Sequence, residues 1–161
     1  MSKVGKQSVA ESAKAVSGVL MGRYDHALDP KKRFTIPSEW RAAMGEPDYV
    51  YVMPDPNDRC LDLIPPVEME SRLEKLREKA LFDPALAPLL ETIGSNTDQL
   101  TLDVQGRIRV RDKLLQFANL TTTVAMQGAV RMIKLWDPKA LAPEDKVPQK
   151  SLAAALQEVG F

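Results

Sequence analysis

Cysteine and histidine are nearly missing from this chain of 161 residues; each occurs once, as Cys60 and His26. A single cysteine excludes an internal disulfide framework and a multi-cysteine zinc site, and a single histidine excludes a His-rich metal site. Aromatic residues make up only 6%, and the net charge is zero, from 22 basic and 22 acidic residues. A surface basic throughout, of the kind that coats nucleic acid non-specifically, is therefore excluded. No apolar run reaches the roughly 18 residues of a membrane span. Lys3 and Lys6 are not followed by an apolar segment, so no secretory signal is expected. The Walker A, G-x-S-x-G and H-E-x-x-H patterns are absent as well. What is present, 44% hydrophobic and 27% charged residues, suffices for the core of one ordinary domain. A reducing, cytoplasmic compartment is expected.

The zero net charge hides a pattern. Residues 1–41 carry eight basic and four acidic side chains, residues 42–100 five and twelve, and residues 101–161 nine and six. Two basic blocks flank an acidic middle. Basic blocks can meet phosphate, although such asymmetry is also common on soluble surfaces.

Local patterns predict a β-rich chain with short helices. Residues 1–20, rich in Ser, Ala, Lys, Val and Gly, read as a flexible extension, with order beginning near Met21. Residues 22–28 read as a strand, 29–32 as a turn and 33–36 as a second strand, with Phe34 and Ile36 facing one way. Pro37 opens a short helix anchored by Trp40 and Met44, and Gly45 closes it. Tyr49 to Ile64 reads as a hairpin and Val67 to Leu81 as a helix with Met69, Leu73, Leu76 and Ala80 on one stripe. A weaker helix over 84–93 is interrupted by Pro88, and 94–96 is a loop. The first pattern then returns: strand 99–103, turn 104–106, strand 107–110, helix 111–118 and hairpin 122–136, with Pro138 opening a further helical segment. Residues 143–150 read as a linker and 151–159 as a terminal helix.

The return is specific. Asp29-x-x-x-Arg33-Phe-Thr-Ile precedes Asp103-x-x-x-Arg107-Ile-Arg-Val by 74 residues, and Leu63-Ile64-Pro65-Pro66 is echoed at Leu135-Trp136-Asp137-Pro138 with an offset of 72. One such unit has too little core to stand alone, so two copies are expected to bury their apolar faces against each other about a pseudo-two-fold axis.

The segments YDHALDPKKRFTIPSEWR, CLDLIPP, LTLDVQGRIRV and IKLWD resemble the MraZ family of bacterial transcription regulators over about residues 21–142. The resemblance implies an α+β, β-rich fold: a duplicated, AbrB-like swapped-hairpin β-barrel with short helices. The chain then divides into a domain of halves 21–81 and 97–142 joined by a helical connection (82–96), with an extension (1–20) and a linker with a helical tail (143–161) outside the resemblance. The resemblance implies a homo-oligomeric ring, nucleoid-associated in the cytoplasm, that binds short direct repeats in double-stranded promoter DNA upstream of the division and cell-wall genes. It implies no enzyme activity, cofactor, metal, membrane or small-molecule substrate. Three positions depart from the family pattern, one of them Arg109 in place of a commoner neutral residue. Lys32 stands where glycine is usual, adding charge but losing a residue free to adopt positive φ. Arg111 stands where proline is expected, so Arg107, Arg109 and Arg111 line one face if the strand persists that far.

Each D-x-x-x-R unit places an arginine at a strand start after a tight turn, where its fork can meet a phosphate or guanine O6 and N7. Arg33 and Arg107 are the core DNA-contact candidates, with Lys31, Lys32 and Arg109 as helpers. Asp29 and Asp103 repel phosphate and are read as orienting the turns; Gln105 reads a base or caps its turn. A single Asp–Arg pair across a turn is otherwise an ordinary surface pair. His26 reads as a packed or partly exposed histidine, Cys60 as a small core residue, Trp40, Trp136, Tyr49 and Tyr51 as core or subunit-interface residues, and Glu68, Glu70, Glu74 and Glu78 as a solvated helix face. Two other functions compete: a scaffold ring that recruits a protein through its tail, and an enzyme using Asp29 and Asp103 as paired carboxylates. The second is opposed by the adjacent arginines, which lower carboxylate pKa values.

Overall fold

The computed structural model describes residues 18–141 and 149–161. Strand β1 (Arg23–Ala27) leads through a turn to β2 (Arg33–Thr35), helix α1 (Ser38–Ala43), the hairpin β3 (Tyr49–Pro54) and β4 (Leu61–Ile64), and helix α2 (Pro66–Ala80). A 3₁₀ turn (Pro84–Leu86) and α3 (Ala87–Asn96) connect to β5 (Asp98–Thr101), a second turn and β6 (Arg107–Arg109). Helix α4 (Asp112–Phe117), the hairpin β7 (Thr123–Gly128) and β8 (Ile133–Trp136), and α5 (Gln149–Glu158) follow. The result is an α+β protein of antiparallel sheets and short helices. Among the described residues no helix is long and apolar enough to cross a membrane.

Six strands form one sheet in the order β1-β7-β8-β4-β3-β5, and β2 and β6 form a separate ribbon. The two hairpins lie side by side, with Asp62 of β4 opposite Lys134 of β8. The outer strands cross over. Strand β1 pairs with β7, Tyr24 opposite Met126, while β5 pairs with β3, Leu100 opposite Val50. Each hairpin thus takes its flanking strand from the other end of the chain.

Period-two alternation decides which side chains fill the core. Val50 and Val52 of β3 and Ile133 and Leu135 of β8 are buried, with half-buried Tyr49, Tyr51, Lys134 and Trp136 between them. Phe34, Ile36, Ile108 and Val110 cover this core from the ribbon, all essentially without solvent exposure. Burying one such side chain contributes about 1.5–3 kcal/mol. Helix α1 turns Trp40 inward, where its indole N–H donates to the Met21 carbonyl oxygen at 2.8 Å and its ring meets Tyr24 edge to face at 4.8 Å.

Several elements differ from the sequence reading. The expected extension ends earlier than residue 20. Leu20 is buried and exchanges backbone hydrogen bonds with Val130, and a Cβ on Gly18 would lie 2.1 Å from the Ala43 carbonyl oxygen. Residues 1–17 lie outside the described residues. Pro88 does not interrupt its helix: it sits in the first turn of α3, where its missing N–H is needed by no partner. Gly94 to Asn96 complete α3 rather than forming a loop, and the Thr97 hydroxyl closes the end on the Ile93 carbonyl oxygen at 2.6 Å. Pro37 precedes a helix at Ser38–Ala43 as expected, but Pro138 opens none; Asp137–Ala140 is a turn closed by the Ala140 N–H on the Asp137 carbonyl oxygen. The expected linker lies mostly outside the described residues, and the terminal helix begins at Gln149.

One polar cluster lies inside this sheet. Asp55 accepts backbone N–H groups from Asn57 and Asp58 at 2.8 and 2.9 Å, and the Lys134 ammonium sits 3.2 Å from its other oxygen. Asp62 is buried beside it, with one oxygen that meets no hydrogen-bond donor. Burial pushes the Asp62 carboxyl up to about 7, and its hydrogen bond to Asp55 adds to the rise. Burial acts against the Asp55 carboxylate too, but the Asn57 N–H, Asp62, the Asp58 N–H and Lys134 hold it at about 2. The folded state therefore keeps a proton on Asp62 that the unfolded chain releases near pH ~4, so this group's stabilisation falls as pH rises from about 4 to about 7. Asp55 acts oppositely: its contribution is present above about pH 4 and is lost as pH falls toward about 2. Asp62→Asn mimics the neutral acid and is expected to remove the decline between about pH 4 and 7 in urea denaturation. An unchanged decline in the variant contradicts this assignment.

Candidate nucleic-acid interface

The two D-x-x-x-R turns fold to the same geometry. In the first, Asp29 Oδ1 accepts the backbone N–H of Lys31 and of Arg33, both at 2.8 Å, and Arg33 Nε donates to Asp29 Oδ2 at 2.7 Å. In the second, Asp103 Oδ1 accepts from Gln105 and Arg107, both at 2.9 Å, and Arg107 Nε donates to Asp103 Oδ2 at 2.7 Å. Backbone bonds close both loops: Lys32 N–H to Asp29 and Gly106 N–H to Asp103. Aspartate suits this place because its short side chain bonds the backbone two residues on. The Arg33 N–H, and in the second turn the Arg107 N–H, are the main causes that hold Asp29 and Asp103 below the usual carboxylate range. Both are acceptors only, which argues against general-acid chemistry at either.

Register then sets the surface. Arg33 lies opposite Arg109, and Thr35 opposite Arg107, across the ribbon. Phe34 and Ile108 fill the inner face, so the outer face carries Arg33, Thr35, Arg107 and Arg109. Diagonal positions in such a pair are about 7–8 Å apart, which places the two motif arginines on one small patch. Each is pinned through Nε, and among the described residues its Nη groups carry no hydrogen bond.

The other expected residues divide. Lys31 is exposed at the first turn. Lys32 adopts φ 60°, so the left-handed conformation expected of glycine is kept by a lysine, and its ammonium reaches Asp112 at 3.1 Å. Arg109 donates to the Lys31 carbonyl oxygen at 3.1 Å and also meets Asp112, tying β6 to the first turn. Gln105 contributes its backbone N–H to the turn, and its side chain is exposed. Arg111 does not join the row. The strand ends at Arg109, Arg111 starts α4, and its guanidinium pairs with Asp98 through both carboxylate oxygens. The sequence reading missed Asp112 and Arg41, because both act on a turn far away in sequence.

The remaining candidates are structural. Cys60 is buried, and burial pushes its thiol up to about 12, the reverse of a nucleophile. His26 is exposed on β1, with Nδ1 2.6 Å from the Ala27 carbonyl oxygen. Among the described residues, Asp55, Cys60 and Asp62 bring three ligand-type atoms within 4.8 Å of one another. Lys134 already supplies the cation there, and Asp62 is held toward its neutral form.

The MraZ protein family model matches residues 93–142. The chain is similar to the transcriptional regulator MraZ of Clostridium acetobutylicum, 27% identical over 145 residues, which covers 89% of this chain and 100% of that protein. The corresponding protein of Symbiobacterium thermophilum is 26% identical, covering 88% and 100%, and that of Mycolicibacterium gilvum is 26% identical, covering 87% and 96%.

The turns make opposite predictions for glycine. Lys32→Gly removes a left-handed non-glycine residue, which costs about 1–2 kcal/mol, but adds freedom to the unfolded chain and removes an exposed ion pair. Thermal unfolding is expected to show stability held or raised by up to about 1 kcal/mol. Gly106→Ala is expected to lower it by about 1–2 kcal/mol, because Gly106 has φ +79° and a Cβ there would displace the Arg41 guanidinium. A clear loss in Lys32→Gly contradicts the strain at that position.

Proposed function

We propose that this chain, which belongs to the MraZ family, is a transcriptional regulator that reads double-stranded DNA with the outer face of the β2–β6 ribbon. The observation that carries the reading is one patch holding both motif arginines, each fixed by an aspartate through Nε with its Nη donors left open. A two-stranded ribbon fits the major groove, and a guanidinium there can bond guanine O6 and N7 in a forked pair. Lys31 and Lys32 add phosphate attraction that positions the protein without specifying sequence. Asp29 and Asp103 orient the arginines and make no contact with DNA.

The exchanged outer strands support a duplicated, swapped-hairpin barrel, since each pairing in one half has a counterpart in the other. One ribbon per chain is a small binding surface. A homo-oligomeric ring presents several, and linked sites on short direct repeats of the chain's own promoter, ahead of division and cell-wall genes, gain avidity that a single copy lacks. Such a regulator works at the nucleoid in the cytoplasm. The domain then runs from about residue 18 to 141, with α5 as a tail.

The scaffold reading keeps one supporting observation: α5 and the residues after it leave Leu152, Val159 and Phe161 exposed. Removing residues 143–161 separates the two, because the DNA reading requires no change in DNA affinity.

The test is a titration against DNA from upstream of the protein's own coding region, with scrambled DNA as control, at several salt concentrations. Preferential, salt-dependent binding is expected. Arg33→Ala and Arg107→Ala are each expected to weaken it by about 1–3 kcal/mol while circular dichroism and the oligomeric state stay unchanged. Near wild-type affinity in both variants overturns the assignment.

A further inference from the structure

The two turns differ at all three residues between the aspartate and the arginine, and the contrast that matters is at the residue before the arginine. In the first turn Lys32 occupies it, in the left-handed conformation, with its side chain directed to Asp112 at the start of α4. In the second turn the matching residue is Gly106, which is buried although it lies in a surface turn. What buries it is Arg41 of α1. A Cβ on Gly106 would lie 2.5 Å from Arg41 Cζ, Nε and Nη1 alike, so the guanidinium fills the space a side chain at 106 would take.

Arg41 is held there at one point. Its Nε donates to the Ile36 carbonyl oxygen at 3.1 Å, and Ile36 N–H in turn donates to the Gly106 carbonyl oxygen at 3.0 Å. Among the described residues no carboxylate pairs with Arg41, and its Nη groups carry no hydrogen bond. A half-buried guanidinium without an anion, fixed by its inner nitrogen and with its outer ones open, is arranged to accept an anion from outside.

We propose that Arg41 is the second turn's phosphate-contacting cation, the counterpart of Lys32 in the first, delivered from a helix of the opposite half because the turn itself has only Val104, Gln105 and Gly106. This rests on the DNA-binding reading of the ribbon. It gives the second turn, whose sequence VQG carries no charge, one cation beside the two that PKK brings to the first. It also explains why the second turn needs glycine while the first tolerates lysine: a side chain at 106 would displace the cation.

Salt dependence of DNA binding tests it. Neutralising one phosphate contact lowers the slope of log affinity against log salt by about 0.9. Arg41→Gln is expected to lower it by that amount, Arg41→Lys to retain it, and Lys79→Gln, on α2 away from the ribbon, to leave it unchanged. Arg41→Gln placed in an Arg107→Ala background is expected to lower the slope again by about the same amount. No further fall there shows that Arg41 acts only through Arg107 and overturns the proposal, as does an unchanged slope in the single variant with wild-type thermal stability. If the unaltered protein shows no salt-dependent binding, the functional reading itself fails, an outcome distinct from a binding protein in which only Arg41 is inert.

Discussion

A carboxylate that gathers three donors within a five-residue turn is the interaction on which the rest of this structure depends. Asp29 and Asp103 each take two backbone N–H groups on one oxygen and an arginine Nε on the other. As half-buried pairs at the surface they add only modestly to stability. Their effect is geometric. Each turn carries the chain out of the six-stranded sheet and into the ribbon, β1 to β2 and β5 to β6. The same bonds that bend the chain fix the direction of the arginine that follows it. Fold and surface chemistry are therefore set by one side chain in each half.

The ribbon joins the halves twice over. Its inner face supplies Phe34 and Ile108 to the common core, and its outer face carries arginines from both strands. The packing residues and the surface arginines are separated by the two-residue period of the strand alone. Cations standing so close on one face repel each other, and the surrounding charges answer this. Asp29, Asp103 and Asp112 each meet a cation of the patch. The acidic middle of the chain forms the β3–β4 hairpin, α2 and α3, outside the ribbon. A chain of zero net charge can thus hold a concentrated basic surface.

Lys32 shows how a turn tolerates a residue that local preference disfavours. Its left-handed conformation is kept because the Asp29 bonds and the following strand over-determine the backbone on both sides. Arg111 shows the opposite outcome. It follows two outward arginines at the right spacing, yet the strand stops at Arg109 and Asp98 draws the guanidinium away. Spacing describes a side chain's direction only while the element lasts.

Local chemistry alone was enough to read the two aspartate turns, the alternating strands, the Pro-led α1 and the striped face of α2, because these depend on bonds and periodicities within about ten residues. Element ends were less legible: Pro88 starts α3 where a break was expected, since a proline costs little in a first turn, and Pro138 opens no helix. Leu20 could not be recognised as core from an apolar-poor extension, because its partner, Val130, is far along the chain in the other half. Arg41 is likewise an ordinary helical arginine in sequence, and only the folded chain lays it against Gly106. The sequence by itself determined the turns, the faces and the arginines they carry; the tertiary structure decided which turns share a ribbon, which cations keep their partners and which side chain fills the space glycine leaves, because those outcomes depend on contacts between distant segments.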